Sequence, residues 1–570
     1  MIRGAILDDN SKKIEDSNNF HALFVMGIFI LYMMIRAYAW HNDVTLGEDS
    51  DSLGYLENIR IFSKFDFKQI MNMAPTINPF YPFFGALIGL LGMPLEITAG
   101  ICSLLFSGLL FLSVWGIGRK IGNQMDALYG LLILCFTPIL ISLSYSILSE
   151  SCYIAIIYFG LWIYLNQYKT PRYISAISLG VIFGLAFLDR TEGIAYLVII
   201  PILQISYLIY DKFRSCGMKK CLGWVFVYII SFTLIIAPQV WRVSDQMGRF
   251  SINGRQVWSL VIKKPDGKSH WEKIYGLDYS LSELNINYLQ IHPELLDKFS
   301  EDIHINRYVR NFMDQYKLLY RERLGILVGP IGLMYFGFGL FALYSTGRRY
   351  ELFLVIAFIS FNLIAPLMYH AYLRLFAVIV PIILVVEGVG IGYLGHKVYE
   401  SCNQKNYKKY IFPLCFLLLA ISAWAFVLRD ETLDPPKSYW TYSPKDFQEP
   451  IKIIKAIERN ELHRAPRIVA QWFYISYYAG GEGIRLPYTS YEKLVKYCEL
   501  HNADFLYLHY GTASSHPFIG SFVQKRGTED FVLIYRGKDS YGGKDIELYR
   551  FRKTKLSPFF PMGMDSGLIK

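Results

Sequence analysis

Residues 173–210 read YISAISLGVIFGLAFLDRTEGIAYLVIIPILQISYLIY. Two apolar runs, 173–189 and 193–210, flank the ionisable stretch Asp189-Arg190-Thr191-Glu192-Gly193. Each run is long enough for a helix to cross a bilayer, which takes about 20 residues. A bilayer core offers no water to the backbone, so a crossing segment must be helical and its ionisable residues gather at its ends. The stretch predicts a transmembrane helical hairpin. Outward from it, further apolar runs lie at 20–40, 95–117, 125–145, 149–166, 222–241, 324–346, 350–369, 375–395 and 410–428. The expectation is an all-α polytopic membrane bundle of about eleven transmembrane helices.

The composition agrees. The chain has 570 residues, 53% hydrophobic and only 18% charged, with 43 Tyr and 40 Phe. Soluble chains carry about 25% charged residues, and aromatic rings collect at membrane boundaries. The net charge of +10 would suggest nucleic acid in a soluble protein. Here the basic residues sit in short loops between apolar runs, with no interleaved basic and aromatic pattern, which excludes that class. Residues 1–19 are polar and the run behind them is long enough to span, so the N-terminus reads as a cytoplasmic segment and not a signal peptide. Arg36, near the far end of the first run, is expected to snorkel. The eight cysteines have no zinc or disulfide spacing.

Orientation follows from the lysines and arginines. With the N-terminus in the cytoplasm, one set of loops carries Arg3, Lys12, Lys13, Arg119, Lys120, Lys169, Arg172, Lys212, Arg214, Lys219, Lys220, Arg348, Arg349, Lys397, Lys405, Lys408 and Lys409. The short loops opposite hold only Arg60, Lys64, Lys68, Arg190 and Arg374. Two large loops, 41–94 and 242–323, are then extracytoplasmic, within a membrane domain spanning 20–428. Residues 429–570, opened by Asp434-Pro435-Pro436, form a small extracytoplasmic α/β domain. Its expected elements are a helix over 445–459, strands at 467–474, 504–509, 531–536 and 546–551, and a helix at 490–502.

Ionisable residues recur on the extracytoplasmic side. The first loop contains Glu48-Asp49-Ser50-Asp51, and a helix from Asp51 places Tyr55 on the same face one turn on. The loop continues to Asn78-Pro79-Phe80-Tyr81-Pro82 and an apolar stretch suited to the membrane interface. Ser149-Glu150, Arg190 with Glu192, and His370-Ala371-Tyr372-Leu373-Arg374 follow in later loops. Each has a plain structural reading. The first-loop acids are a solvated cluster, Glu150 caps a helix N-terminus, Arg190 pairs with Glu192, and the arginines snorkel. Together, at one depth on one face, they suit a lipid phosphate, which arginine's rigid fork of donors matches.

The ordered series of motifs resembles the GT-C membrane glycosyltransferases, in the group of protein O-mannosyltransferases and the lipid A aminoarabinose transferase. The matching stretches are Asp51-Ser-Leu-Gly-Tyr55, Asn78-Pro-Phe-Tyr-Pro82, Leu148-Ser-Glu150-Ser, Gly184 to Gly193, and Arg374 to Pro381. The C-terminal stretch, with Tyr477-Tyr478-Ala479-Gly480, Leu486-Pro487 and Ala503-Asp504-Phe505-Leu506, is similar to the outer domain of bacterial members. The resemblance implies inverting transfer of a sugar from a polyprenyl-phosphate carrier to a protein, lipid or glycan acceptor. It implies a catalytic base at Asp51, with Asp49 as the alternative, because Ser52 stands where the family carries Glu. Arg190 and Arg374 are the expected phosphate ligands. Tyr55, Tyr81, Glu150, Glu192, His370 and Tyr372 are the expected binding or orienting residues. No cofactor is expected; no histidine-rich set has ligand spacing for a metal, while the carboxylates leave a divalent cation as the alternative. A transporter or flippase for a lipid-linked saccharide is the competing reading. Its one candidate is Glu387, placed toward the inner end of the tenth run.

Overall fold

In a computed structural model of the chain, the described residues are 2–42, 52–71, 73, 78–212, 217–248, 250–252, 327–368, 373–401, 444–471, 474–487, 489–510, 518–523, 528–538, 543 and 545–552, with single positions at 313, 316, 317, 319 and 418. They fall into two compact units, one drawn from the described residues between 2 and 418 and the other from those between 444 and 552.

The first unit is helical. Its elements are α1 (Ile2–Asn42), α2 (Ser52–Ser63), α3 (Phe67–Met71), α4 (Phe80–Gly89), α5 (Leu95–Ile121), α6 (Gln124–Phe136), α7 (Pro138–Leu143), α8 (Glu150–Gln167), α9 (Tyr173–Asp189), α10 (Tyr196–Tyr210) and α11 (Met218–Met247). They continue as α12 (Pro330–Ser345), α13 (Arg349–Met368) and, after short turns at Leu373–Phe376 and Ala377–Ile379, α14 (Val380–Ser401). Among the described residues, five helices are long and apolar enough to cross a membrane, around Ala22–Asn42, Leu95–Ile121, Thr191–Tyr210, Met218–Gln246 and Arg374–Val398. The expected run at 410–428 lies outside the described residues, apart from Leu418.

Segment Arg374–Val398 is the most enclosed of the five, with 89% of its apolar window buried. It packs between α6 and α12 because Gly388-Val389-Gly390-Ile391-Gly392 removes side chains from the contact. A Cβ on Gly390 would stand 2.1 Å from the Tyr335 carbonyl oxygen, so only glycine permits this approach. Glu387, expected near the inner end, lies midway along the segment, fully buried, its Oε1 against Gly332 in the first turn of α12.

The single apolar run expected over 125–145 is broken in two. Asn123 caps α6, accepting from the amides of Met125 and Asp126 at 2.8 and 3.1 Å, while Asp126 Oδ2 accepts from the Asn123 amide. The helix stops at Thr137 because Pro138 has no N–H to continue it. Arg36 answers that break. It does not snorkel: it is fully buried, donating to the carbonyls of Leu134 (3.2 Å) and Cys135 (3.4 Å) and to Ser107 Oγ (3.2 Å). Its guanidinium carbon lies 3.3 Å from the centre of the Tyr32 ring.

The second unit contains a five-stranded mixed sheet ordered β2-β1-β3-β5-β4, from β1 (Arg467–Ala470), β2 (Glu482–Arg485), β3 (Phe505–His509), β4 (Phe531–Lys538) and β5 (Asp545–Phe551). β1 pairs in parallel with β2 and β3, and β5 runs antiparallel to β3 and β4. Helices Pro444–Ile457 and Tyr491–Leu500 match the sequence pattern. The expected strand 467–474 is shorter, ending at Ala470 before the helix Tyr474–Ala479, and β2 is an unforeseen strand. Val469, Leu494, Leu506, Phe522 and Tyr549 form the centre of its core.

Candidate functional site

One end of the membrane unit gathers ionisable side chains from four elements. Glu150 is the first residue of α8, where the helix macrodipole favours a carboxylate. The cap hydroxyl at Ser149 bonds Tyr55 of α2 at 2.9 Å, which ties the start of α8 to the first loop. Tyr55 in turn meets the Tyr81 ring edge-on, with centroids 5.4 Å apart.

Arg190 follows α9 directly, and its amide still bonds Ala186 as the helix closes. The chain then turns back through a short helix, Thr191–Ala195. Gly193 makes the turn possible, since a Cβ there would stand 2.5 Å from the Phe187 backbone nitrogen. The fold-back sets Glu192 beside Arg190, Nη2 to Oε1 at 3.0 Å.

The centre of the cluster is one oxygen. Glu150 Oε1 lies 2.7 Å from Arg190 Nη1 and 3.4 Å from Arg374 Nε. Glu150 and Arg190 are buried, 4% and 8% exposed, while the Arg374 side chain is 26% exposed. Burial alone would lower the Arg190 pKa, but Glu192 and Glu150 hold it well above its ordinary value. Arg190 also stands 5.9 Å from the Tyr153 ring centre. The second oxygen of Glu150 has no hydrogen-bond partner among the described residues.

The structure thus brings together Glu150, Arg190, Glu192 and Arg374, with Tyr55 alongside. Tyr81 is fully buried and its hydroxyl is engaged by Ser103 Oγ and the Ala99 carbonyl of α5, both at 3.0 Å, so its contact with the site is through Tyr55. Asp49, Asp51, His370 and Tyr372 lie outside the described residues. Among the described residues no group of three His, Cys, Asp or Glu is placed to hold a metal ion.

At this end Arg242 and Gln246 escaped the sequence reading, and Asp189 was quoted there without a role. Arg242 of α11 donates to the Met73 carbonyl at 2.7 Å, and Gln246 to the Met71 carbonyl at 2.6 Å, pinning the first loop. Nothing local in the sequence pairs them. Asp189 is 3% exposed at the end of α9, and neither of its oxygens has a hydrogen-bond partner among the described residues. Its position before Arg190 was the available signal.

The helical unit and the mixed sheet give the chain the fold of membrane glycosyltransferases of the GT-C class. By sequence, residues 75–241 match the family described as dolichyl-phosphate-mannose-protein mannosyltransferase. No curated protein matches the chain by sequence. Among solved structures, the oligosaccharyltransferase of Archaeoglobus fulgidus tethered to an acceptor peptide aligns at TM-score 0.59 and 11% identity, over 93% of this chain and 74% of that one. The archaeal oligosaccharyltransferase AglB from Archaeoglobus fulgidus, with an inhibitory peptide and a dolichol-phosphate, aligns at 0.55 and 12%, over 86% and 70%. ArnT from Cupriavidus metallidurans bound to undecaprenyl phosphate aligns at 0.51 and 10%, over 94% and 98%. At these identities the likeness is one of fold.

Proposed function

We propose that the protein transfers a sugar from a polyprenyl-phosphate carrier to an acceptor on the extracytoplasmic face of the membrane. The observation that carries the reading is the pair of arginines converging on one buried carboxylate oxygen in a GT-C fold. The Lys/Arg bias puts this end outside.

An acceptor hydroxyl attacks the anomeric carbon in line. The new oxygen–carbon bond forms as the bond to the phosphate oxygen breaks, with inversion, and Asp51 takes the hydroxyl proton (Asp49 being the alternative base). Phosphate is a competent leaving group, so it needs positive charge more than an acid. Arg374, the more exposed arginine, meets it directly. Arg190 spends both terminal nitrogens on Glu150 and Glu192 and contributes its charge from behind. Charge fixed before the reaction contributes about 3–4 kcal/mol per donor in comparable sites. Tyr55 and the first loop face the sugar or the acceptor, with His370 and Tyr372 beside Arg374 in the chain.

The test is reconstitution of the purified protein with a panel of labelled polyprenyl-phosphate sugars and envelope extract as acceptor. Label moving to an acceptor supports transfer. Label crossing sealed vesicles with the carrier bond intact supports the transporter reading and overturns this one. Among the described residues only Glu387 serves that alternative as a carboxyl midway along a candidate span.

A further inference from the structure

The cluster has a charge problem that its geometry resolves. Glu150, Asp189 and Glu192 are three carboxyls, and Arg190 and Arg374 are two cations. If all five are ionised the sum is negative by one, and an anionic phosphate is repelled from the arginines meant to receive it. Any contribution from the first-loop acids deepens that sum. Glu150 and Glu192 each have a guanidinium within 3.0 Å. Asp189 has none among the described residues, and both of its oxygens are buried without a hydrogen-bond partner. An ionised carboxylate in that position carries a penalty far larger than that of keeping a proton.

We infer that Asp189 is a neutral carboxylic acid in the resting protein, a positioning residue whose proton brings these five groups to zero net charge and lessens their repulsion of a phosphate anion. The inference rests on the proposed phosphate site. Among the described residues, the titratable and charged groups facing Asp189 are Cys102 of α5, Glu150, Cys152 and Tyr153 of α8, and Arg190 and Glu192 after its own helix. Of these only Arg190 is a cation, and it is already engaged by two other carboxylates. The Cys152 thiol beside Asp189 is too weak a donor to stabilise a carboxylate. Protonated, Asp189 leaves Arg190 to its two partners and does not compete for it.

The experiment measures binding of undecaprenyl methyl phosphate, singly charged throughout the working range, to the full-length protein in nanodiscs. Wild type and Asp189→Asn are compared from pH 6 to about pH 9. A neutral Asp189 predicts affinities within threefold of each other at pH 7. It also predicts that any fall in wild-type affinity caused by loss of this proton at higher pH is absent in Asp189→Asn. An ionised Asp189 predicts that Asp189→Asn binds about tenfold tighter at pH 7, because a full negative charge near the anion has been removed. That result overturns the inference, and so does a shift beyond threefold in the other direction. If wild type binds no probe at any pH, the phosphate reading fails. The infrared difference spectrum between wild type and Asp189→Asn then decides the protonation state independently. A protonated-acid carbonyl band lost in the variant supports the neutral acid, and a lost carboxylate band overturns it.

Discussion

Glu150 Oε1 meets Arg190 Nη1 at 2.7 Å and Arg374 Nε at 3.4 Å, so one carboxylate oxygen joins two arginines that enter from different parts of the chain. The two contacts differ in character. Arg190 is enclosed and held at both terminal nitrogens, whereas Arg374 is a quarter exposed and at longer range. Glu150 therefore acts as a brace on one arginine and a placeholder on the other.

Removing the brace affects folding and chemistry separately. Glu150→Ala leaves the buried Arg190 guanidinium short of a partner and brings it against Arg374, with an expected loss of about 3–5 kcal/mol. Glu150→Gln keeps the shape and one acceptor, so its stability loss is smaller while transfer falls about 100-fold. Thermal unfolding in detergent and initial transfer rates measure the two. An Ala variant with wild-type melting and turnover removes Glu150 from both roles.

Arg374 is expected to behave differently. Its exposure makes Arg374→Ala nearly neutral for stability, while transfer drops about 100- to 1000-fold through lost charge at the leaving phosphate. Arg374→Lys keeps the charge but not the fork, and recovers only part of the rate. Equal recovery by Lys and Arg would show that a point charge suffices there.

How much of this was legible differs from residue to residue. The hairpin around Asp189–Gly193 was readable because apolar runs and clustered charge are both local signals, and both follow from the bilayer as solvent. The positions of Glu150, Arg190, Glu192 and Arg374 at helix ends were readable for the same reason. Their sharing of one oxygen was not, because it depends on how α8 and α9 rotate against the turn at Leu373–Phe376. Tyr81 was read as a binding or orienting residue, and the bonding of its hydroxyl to α5 was not legible. β2 was missed because Glu482-Gly483-Ile484-Arg485 has neither alternation nor β-branched density. Glu387 was placed by counting along a run, and counting carries no information about the first turn of α12.

The first-loop carboxylates give a sequence-level prediction with two arms. Asp51→Asn is expected to lower transfer by about 100-fold or more, with donor binding retained, since a base acts only in the bond-making step. Asp49→Asn is expected to cost much less, because Asp51 keeps the one-turn step to Tyr55. The reverse ranking would make Asp49 the base and shift the motif by two residues. Single-turnover rates with pre-bound donor separate binding from chemistry.

The last prediction concerns Arg36 and Pro138. In an uninterrupted helix the amide of residue 138 would bond the Leu134 carbonyl and that of 139 the Cys135 carbonyl. Proline removes the first donor and the break at Thr137 displaces the second, and Arg36 donates to both carbonyls instead. Arg36→Met therefore leaves two buried acceptors unsatisfied, at about 1–3 kcal/mol each. Pro138→Ala returns an amide to the break, so the same Arg36→Met change should cost less in that background. The double-mutant cycle is expected to show a coupling on the order of 1–2 kcal/mol, read from unfolding in detergent. A coupling near zero would mean that Arg36 is retained for its stacking on Tyr32 and its bond to Ser107, and that the carbonyls freed by Pro138 are satisfied without it.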